Sequence, residues 1–224
     1  MTMQRSEFAA TIDHTYLKIS SGDGEIRRVC LEAEKFEFAS VAVFPVAVPL
    51  SAAALEGTGV RVCAALGFHL GTYPPELKAH EVEDVIRKGA AEVDLVMNVA
   101  AAKAGRWDLL KREFELFRKA AGECIAKIIL ETCLLTDAEK TRACEIAKEA
   151  GLDFVKTSTG YKKGATVPDV KLMHRTVAPQ LEVKASGGIR SLDDALAMLD
   201  AGASRLGTSA GVTLMKAFEE RFGV

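Results

Sequence analysis

The chain has 224 residues, with 29 Lys and Arg against 31 Asp and Glu and a formal net charge of −2. No long basic run breaks that balance, which excludes the clustered basic footprint of a nucleic-acid-binding protein. No apolar run approaches the about 20 residues that a membrane span requires, while 49% hydrophobic residues suffice for a large buried core.

A single domain over residues 1–224 is expected, opened by a short N-terminal helix. Short β-branched runs then alternate with amphipathic stretches. The strands expected in chain order are Thr11–Tyr16, Ser40–Phe44, Val60–Leu66 and Glu92–Met97, then Ala126–Glu131, Phe154–Thr157, Leu181–Ala185 and Arg205–Gly207. Helices are expected between them, among others over Pro75–Lys88, Trp107–Ala121, Asp137–Ala150 and Leu192–Ala201. Thr136 and Ser191 stand where N-caps belong, and Asp137 and Asp193 add negative charge to the first turns. Gly151 and Gly202 follow helices where a left-handed cap is wanted. Eight strands, each followed by a helix, spell a single-domain α/β (β/α)8 TIM barrel. An open doubly wound sheet is the competitor, but no glycine-rich fingerprint follows the first strand. Aromatics make up only 6% of the chain, so branched aliphatics are expected to fill the barrel interior.

In such a barrel the active site lies at the C-terminal ends of the strands, so polar residues in otherwise apolar strands are informative. Asp13, Asp94, Glu131, Lys156 and Lys184 are such residues. A lysine ending a buried strand is costly unless paired. Two of them on consecutive strands would point at one site, and each would lower the other's pKa. The neutral amine so released is what imine formation requires. Strand position alone leaves two readings of these lysines open: that reactive pair, or interior ion pairs with Asp94 or Glu131. Asp94, Val96 and Asn98 share one strand face; a carboxylate does not belong against the helices, so Asp94 is placed inward. There it would hold Lys184 or move a proton. For Asp13 and Glu131 the structural reading is favoured.

The last two units suggest phosphate. Ser186-Gly187-Gly188-Ile189-Arg190 follows the seventh strand, and Gly207-Thr208-Ser209-Ala210-Gly211 follows the eighth and opens a helix. Barrels bind phosphate with these two loops through backbone N–H groups and a helix N-terminus. Thr208 and Ser209 would add hydroxyl donors.

Other candidates carry less. The five cysteines, Cys30, Cys63, Cys124, Cys133 and Cys144, are odd in number and form no C-x-x-C pair, so buried reduced thiols in a cytoplasmic protein are expected. The N-terminus lacks the apolar stretch of a signal peptide. His14, His69, His80 and His174 have no ligand spacing, so no metal site is expected.

Taken together the segments resemble the deoxyribose-phosphate aldolase family over nearly the whole chain. They are Ile12-Asp13-His14-Thr15, Gly67-Phe68-His69-Leu70-Gly71, Glu92-Val93-Asp94-Leu95-Val96-Met97-Asn98 and Phe154-Val155-Lys156-Thr157-Ser158-Thr159-Gly160, followed by Val183-Lys184-Ala185-Ser186-Gly187-Gly188-Ile189-Arg190 and Leu206-Gly207-Thr208-Ser209-Ala210-Gly211-Val212. The resemblance implies reversible cleavage of 2-deoxy-D-ribose 5-phosphate to D-glyceraldehyde 3-phosphate and acetaldehyde, in deoxyribonucleoside catabolism and without metal or organic cofactor. It implies that Lys156 is the Schiff-base lysine, Lys184 the neighbour that depresses its pKa and Asp94 the proton relay. Gly187, Gly188, Thr208 and Ser209 would hold the phosphate, with Asp13, Thr159 and Gly160 as further substrate-binding residues. A homo-oligomer, dimer or tetramer, is expected. Another Schiff-base aldolase or a non-catalytic phosphate-binding barrel would share some of these features, and borohydride trapping separates them.

Three departures from the family pattern stand out. Ala42 replaces a common cysteine, Tyr161 stands where some members carry lysine, and Phe68-His69 replaces Phe-Pro. The tail Arg221-Phe222-Gly223-Val224 also lacks a tyrosine, so a tail tyrosine cannot act in catalysis here. With no thiol at position 42 to react with aldehyde, activity is expected to survive acetaldehyde concentrations that inactivate relatives carrying that cysteine. Residual activity after timed exposure checks this, and equal losses would contradict it.

Overall fold

A computed structural model describes residues 3–20, 22–68 and 71–223. His69 and Leu70 of the loop motif, the terminal Val224, and Met1 and Thr2 lie outside the described residues. The chain opens with a short helix, α1 (Arg5–Ala9), and β1 (Ile12–Tyr16), then α2 (Asp23–Phe36), β2 (Ser40–Val43), α3 (Val48–Ala54) and β3 (Arg61–Leu66). It continues with α4 (Pro75–Arg87), β4 (Glu92–Val96), α5 (Val99–Lys103), α6 (Trp107–Ala121), β5 (Ile125–Ile129) and α7 (Asp137–Glu149). The last units are β6 (Phe154–Lys156), α8 (Val167–Val177), β7 (Glu182–Ser186), α9 (Leu192–Asp200), β8 (Arg205–Thr208) and α10 (Gly211–Phe222). All neighbouring strands pair in parallel, and β8 returns to β1, so the sheet closes into the expected barrel.

The helix boundaries follow local chemistry. At α7, Glu139 N–H donates to Thr136 Oγ1 at 3.3 Å and Thr136 N–H donates to the Glu139 carboxylate at 2.7 Å. Ser191 and Asp194 repeat this reciprocal cap at α9. Gly151 and Gly202 follow their helices with φ of +68° and +107°. β5 ends two residues earlier than the β-branched run suggests. Glu131 takes a left-handed backbone, φ +56°, and turns the chain out of the sheet.

The core is not where the composition places it. Strand residues of one parity, such as Val41, Val62, Val93, Leu95, Ile128, Val155 and Leu206, pack outward with the helices into the aliphatic core. The other parity turns Asp13, Ser40, Ala42, Cys63, Glu92, Asp94, Lys127, Lys156, Lys184 and Arg205 into the lumen, all buried. The expectation of a lumen filled by branched aliphatics is therefore corrected. Small residues leave space for long charged side chains: a Cβ at Gly207 would meet Ser186 Cβ at 2.8 Å and Lys184 Cε at 3.1 Å. All five cysteines are free, three of them buried and Cys124 and Cys133 half-buried.

Asp94 faces inward as expected, and a second buried pair lies outside the barrel, between two helices. Lys78 of α4 and Glu113 of α6 are each 1% exposed, with Nζ and Oε2 3.0 Å apart. Lys78 Nζ donates to Val96 O at 2.9 Å, and Asn98 N–H donates to Glu113 Oε1 at 2.9 Å. The pair therefore grips the exit of β4 just beyond Asp94. Removing one partner leaves a buried uncompensated charge, so Lys78→Met should lower stability by about 3 kcal/mol. Adding Glu113→Gln should recover much of that loss. Denaturant unfolding measures both, and a single variant as stable as the parent would refute the account.

Candidate active site

A cavity of about 260 Å³ opens at the C-terminal end of the barrel, a size suited to a small ligand. Lys156, Thr159, Gly160, Gly187, Gly188, Thr208 and Ser209 all line it. Seven of the ten residues expected at the site thus meet in one place. Lys156 reaches it from the end of β6 and is 4% exposed. Asp94, Lys184 and Asp13 lie beneath, with no exposure. Asp13 makes no part of the cavity wall and pairs with Lys184 and Arg205 below it, in line with the structural reading of its strand position.

The register explains how these side chains meet. Lys156 stands opposite Lys184 across β6 and β7, and Asp94 stands opposite Lys127 across β4 and β5. Asp94 Oδ2 accepts from Lys156 Nζ and Lys184 Nζ, both at 2.7 Å. Its other oxygen accepts from the Cys63 thiol at 3.1 Å and stands 3.1 Å from Lys127 Nζ. Asp13 takes Lys184 at 2.5 Å, Arg205 Nε at 2.9 Å and the Ser40 hydroxyl at 2.6 Å. Glu92, one layer lower, takes Lys127, Arg205 at 2.8 Å and Arg61 at 2.8 Å.

Burial acts against every one of these charges, and the partners decide the outcome. Burial lowers the pKa of Lys156 and Lys184 adds to that fall, with Asp94 opposing them incompletely. Lys184 is buried as deeply, yet Asp13 and Asp94 hold it above the ordinary lysine value. Lys184 thus lowers Lys156 as expected, but the fall is not shared: Asp13 and Asp94 leave Lys184 the more basic of the two. Burial would raise Asp94, but Lys127, Lys156 and Lys184 outweigh it and hold the carboxylate well below its usual range. Burial, with Asp94 adding to it, pushes the Cys63 thiol up to about 12, which keeps this lumen cysteine protonated.

The far wall of the cavity is built from two glycine loops. Gly187 and Gly188 have φ of +84° and +80°. A Cβ at Gly164 would meet Gly187 O at 2.0 Å, so the loop after β6 touches the loop after β7 directly. Thr208 Oγ1 donates to Ile189 O at 2.7 Å and accepts from Ala210 N–H at 2.9 Å. Its hydroxyl therefore braces the two loops, which corrects its role as a free donor, while Ser209 is exposed at the start of α10. Thr159 is likewise committed, its N–H and hydroxyl both donating to Glu131.

Tyr161 lies at the cavity mouth, where its hydroxyl donates to Leu17 O at 2.7 Å and ties the loop after β6 to the loop after β1. Its ring meets Phe68 edge-on at 6.2 Å, and the Lys156 Nζ lies 5.7 Å from the Phe68 centroid. Glu92, Lys127 and Arg205 complete the buried charges of the lumen and are not among the residues expected at the site. Each has the same strand parity as Asp94, Lys156 and Lys184, and that signal would have found them. Among the described residues no cluster of three His, Cys, Asp or Glu side chains is arranged to hold a metal, and no helix is long and apolar enough to cross a membrane.

Residues 52–218 match the family model described as DeoC/LacD family aldolase. A deoxyribose-phosphate aldolase of Streptococcus sanguinis (strain SK36) is 51% identical over 209 residues, covering 93% of this chain and 95% of the relative. One of Bacteroides thetaiotaomicron is 51% identical over 218 residues, covering 96% and 91%. The tetrameric deoxyribose phosphate aldolase of Aeropyrum pernix superposes with a TM-score of 0.90 at 32% identity, covering 99% of this chain and 94% of that one.

The buried charges set a pH window for folding. Asp13 and Asp94 titrate below the usual 3.8, so their contribution is complete above that value and lost as pH falls toward their folded values. Lys127 and Lys184 titrate above the usual 10.5, so theirs is complete below that value and lost as pH rises through their folded values. Through these four groups the melting temperature should fall as pH drops below 3.8 and as it rises above 10.5. The lowered Lys156 makes stability rise with pH between its folded value and 10.5. A melting temperature unchanged down to about pH 2 would contradict the depressed carboxylates.

Proposed function

Because the chain belongs to the DeoC/LacD family of aldolases, we propose that it reversibly cleaves 2-deoxy-D-ribose 5-phosphate to D-glyceraldehyde 3-phosphate and acetaldehyde through a Schiff base on Lys156. One observation carries the reading: the Lys156 amine, its proton affinity lowered by burial, reaches the cavity floor while hydrogen-bonded to Asp94 at 2.7 Å.

In this mechanism the neutral Lys156 Nζ attacks C1 of the open-chain aldehyde. Loss of water gives an iminium that draws the electron pair of the C2–C3 bond. The C3 hydroxyl loses its proton as that bond breaks, and glyceraldehyde 3-phosphate departs. The remaining enamine takes a proton at C2, and water hydrolyses the imine to release acetaldehyde and free Lys156. Asp94, through a water, is the group proposed to move the proton at the reacting carbon. Lys184 stays charged beside it and balances Asp94 once Lys156 is neutral. The phosphate is proposed to lie against Gly187, Gly188 and Ser209, where backbone N–H groups and the start of α10 favour an anion. Thr159 and Gly160 would border the substrate. The setting proposed is cytoplasmic deoxyribonucleoside breakdown by a homo-oligomer, dimer or tetramer, as the Aeropyrum pernix relative is described as tetrameric.

Borohydride reduction in the presence of 2-deoxy-D-ribose 5-phosphate should add the reduced substrate to Lys156, located by peptide mapping. Lys156→Ala should abolish the adduct. An adduct on another lysine, or trapping only with a different sugar phosphate, would overturn the assignment.

A further inference from the structure

Seven charged side chains meet in the lumen, and six of them form a closed ring. Asp94 touches Lys127 at 3.1 Å, Lys127 touches Glu92, and Glu92 touches Arg205 at 2.8 Å. Arg205 touches Asp13 at 2.5 Å, Asp13 touches Lys184 at 2.5 Å, and Lys184 returns to Asp94 at 2.7 Å. Within the ring each carboxylate holds two of the cations and each cation two of the carboxylates, so the ring is neutral. Lys156 stands outside it and touches a single carboxylate, Asp94, at 2.7 Å.

We propose that this ring decides which buried lysine gives up its proton, and that Glu92, Lys127 and Arg205 are positioning residues acting on Lys156 through it. A buried charge is tolerated only when paired, and three carboxylates pair with three cations. A protonated Lys156 would be a fourth cation without an anion of its own, so its proton leaves to water through the cavity. The remaining groups around Lys156 do not alter the balance. The Cys63 thiol is neutral, and Phe68 offers only a ring face. Arg61 also reaches Glu92, but half of its side chain is in solvent, which screens its charge. The directions of titration agree: Lys127, Lys184 and Arg205 are all held up, and Lys156 alone among the four is lowered.

The proposal makes opposite predictions for two residues that do not line the cavity. Lys127→Met leaves three carboxylates with two ring cations, so Lys156 is drawn in as the third and keeps its proton to higher pH. Glu92→Gln leaves two carboxylates with three ring cations, so Lys156 loses its proton at lower pH. The double variant restores the balance. Competitive acetylation with acetic anhydride, followed by peptide mapping, reads the neutral fraction of Lys156 against pH in the intact protein. The midpoint should rise by about one pH unit in Lys127→Met and fall by a similar amount in Glu92→Gln, each about a tenfold change in neutral amine below the midpoint. It should return toward the parent value in the double variant. A merely structural role would weaken both single variants without moving their midpoints in opposite directions. Shifts of the same sign, no shift, or a double variant that stays displaced would overturn the proposal. If Lys127→Met does not fold, Glu92→Gln against the parent and the double variant still decides it. The catalytic meaning of the ring rests on the Schiff-base reading, but acetylation reports the proton on Lys156 whether or not an imine forms. The two readings can therefore fail separately.

Discussion

Charge placed inside a protein must be answered by opposite charge within contact distance, and nearly everything in this barrel follows from that requirement. Asp94 is shared by Lys127, Lys156 and Lys184, which arrive from β5, β6 and β7. Such sharing demands a fixed register, because moving any of those strands by one residue would swing its lysine out among the aliphatic side chains. The ladders supply it, setting Asp94 beside Lys127 and Lys156 beside Lys184. The polar lumen and the backbone pairing therefore select the same arrangement.

A charged lumen also assigns the two sides of the sheet different work. The outer side, with residues such as Val93, Leu95 and Ile128, carries the hydrophobic stabilisation that holds helices to strands. The inner side is relieved of that task and can hold groups whose value is chemical. The pair Lys78–Glu113 shows the outer side serving the inner one, since it fixes the backbone just past Asp94 from behind. Above the charges, the glycine loops and the Tyr161 contact with Leu17 shape the opening of the cavity over Lys156.

Much of this was legible in the sequence because period-2 patterning, caps and turn glycines are local signals. The eight strands, the caps at Thr136 and Ser191, and the gathering of Lys156 with Gly187, Gly188 and Ser209 are of this kind. What was not legible depends on partners distant in sequence. Lys184 and Lys156 look alike in their strands, and only the position of Asp13, from β1, holds one of them above the ordinary lysine value. Thr208 reads as a free hydroxyl until Ile189 is placed beside it. Lys127 and Arg205 resemble ordinary strand-edge charges until the barrel closes and brings both to Glu92.

Glu131 shows how stability and function divide at a single residue. Its left-handed backbone costs a residue with a side chain about 1–2 kcal/mol, and its φ of +56° is one that glycine adopts freely. Yet the carboxylate is what binds the N–H and hydroxyl of Thr159, and with them the loop that follows Lys156. Optimising the fold in isolation would install glycine there and release that loop. The position is a local conflict between comfortable backbone and anchored loop, the kind of compromise a consensus-driven stabilisation would erase unnoticed.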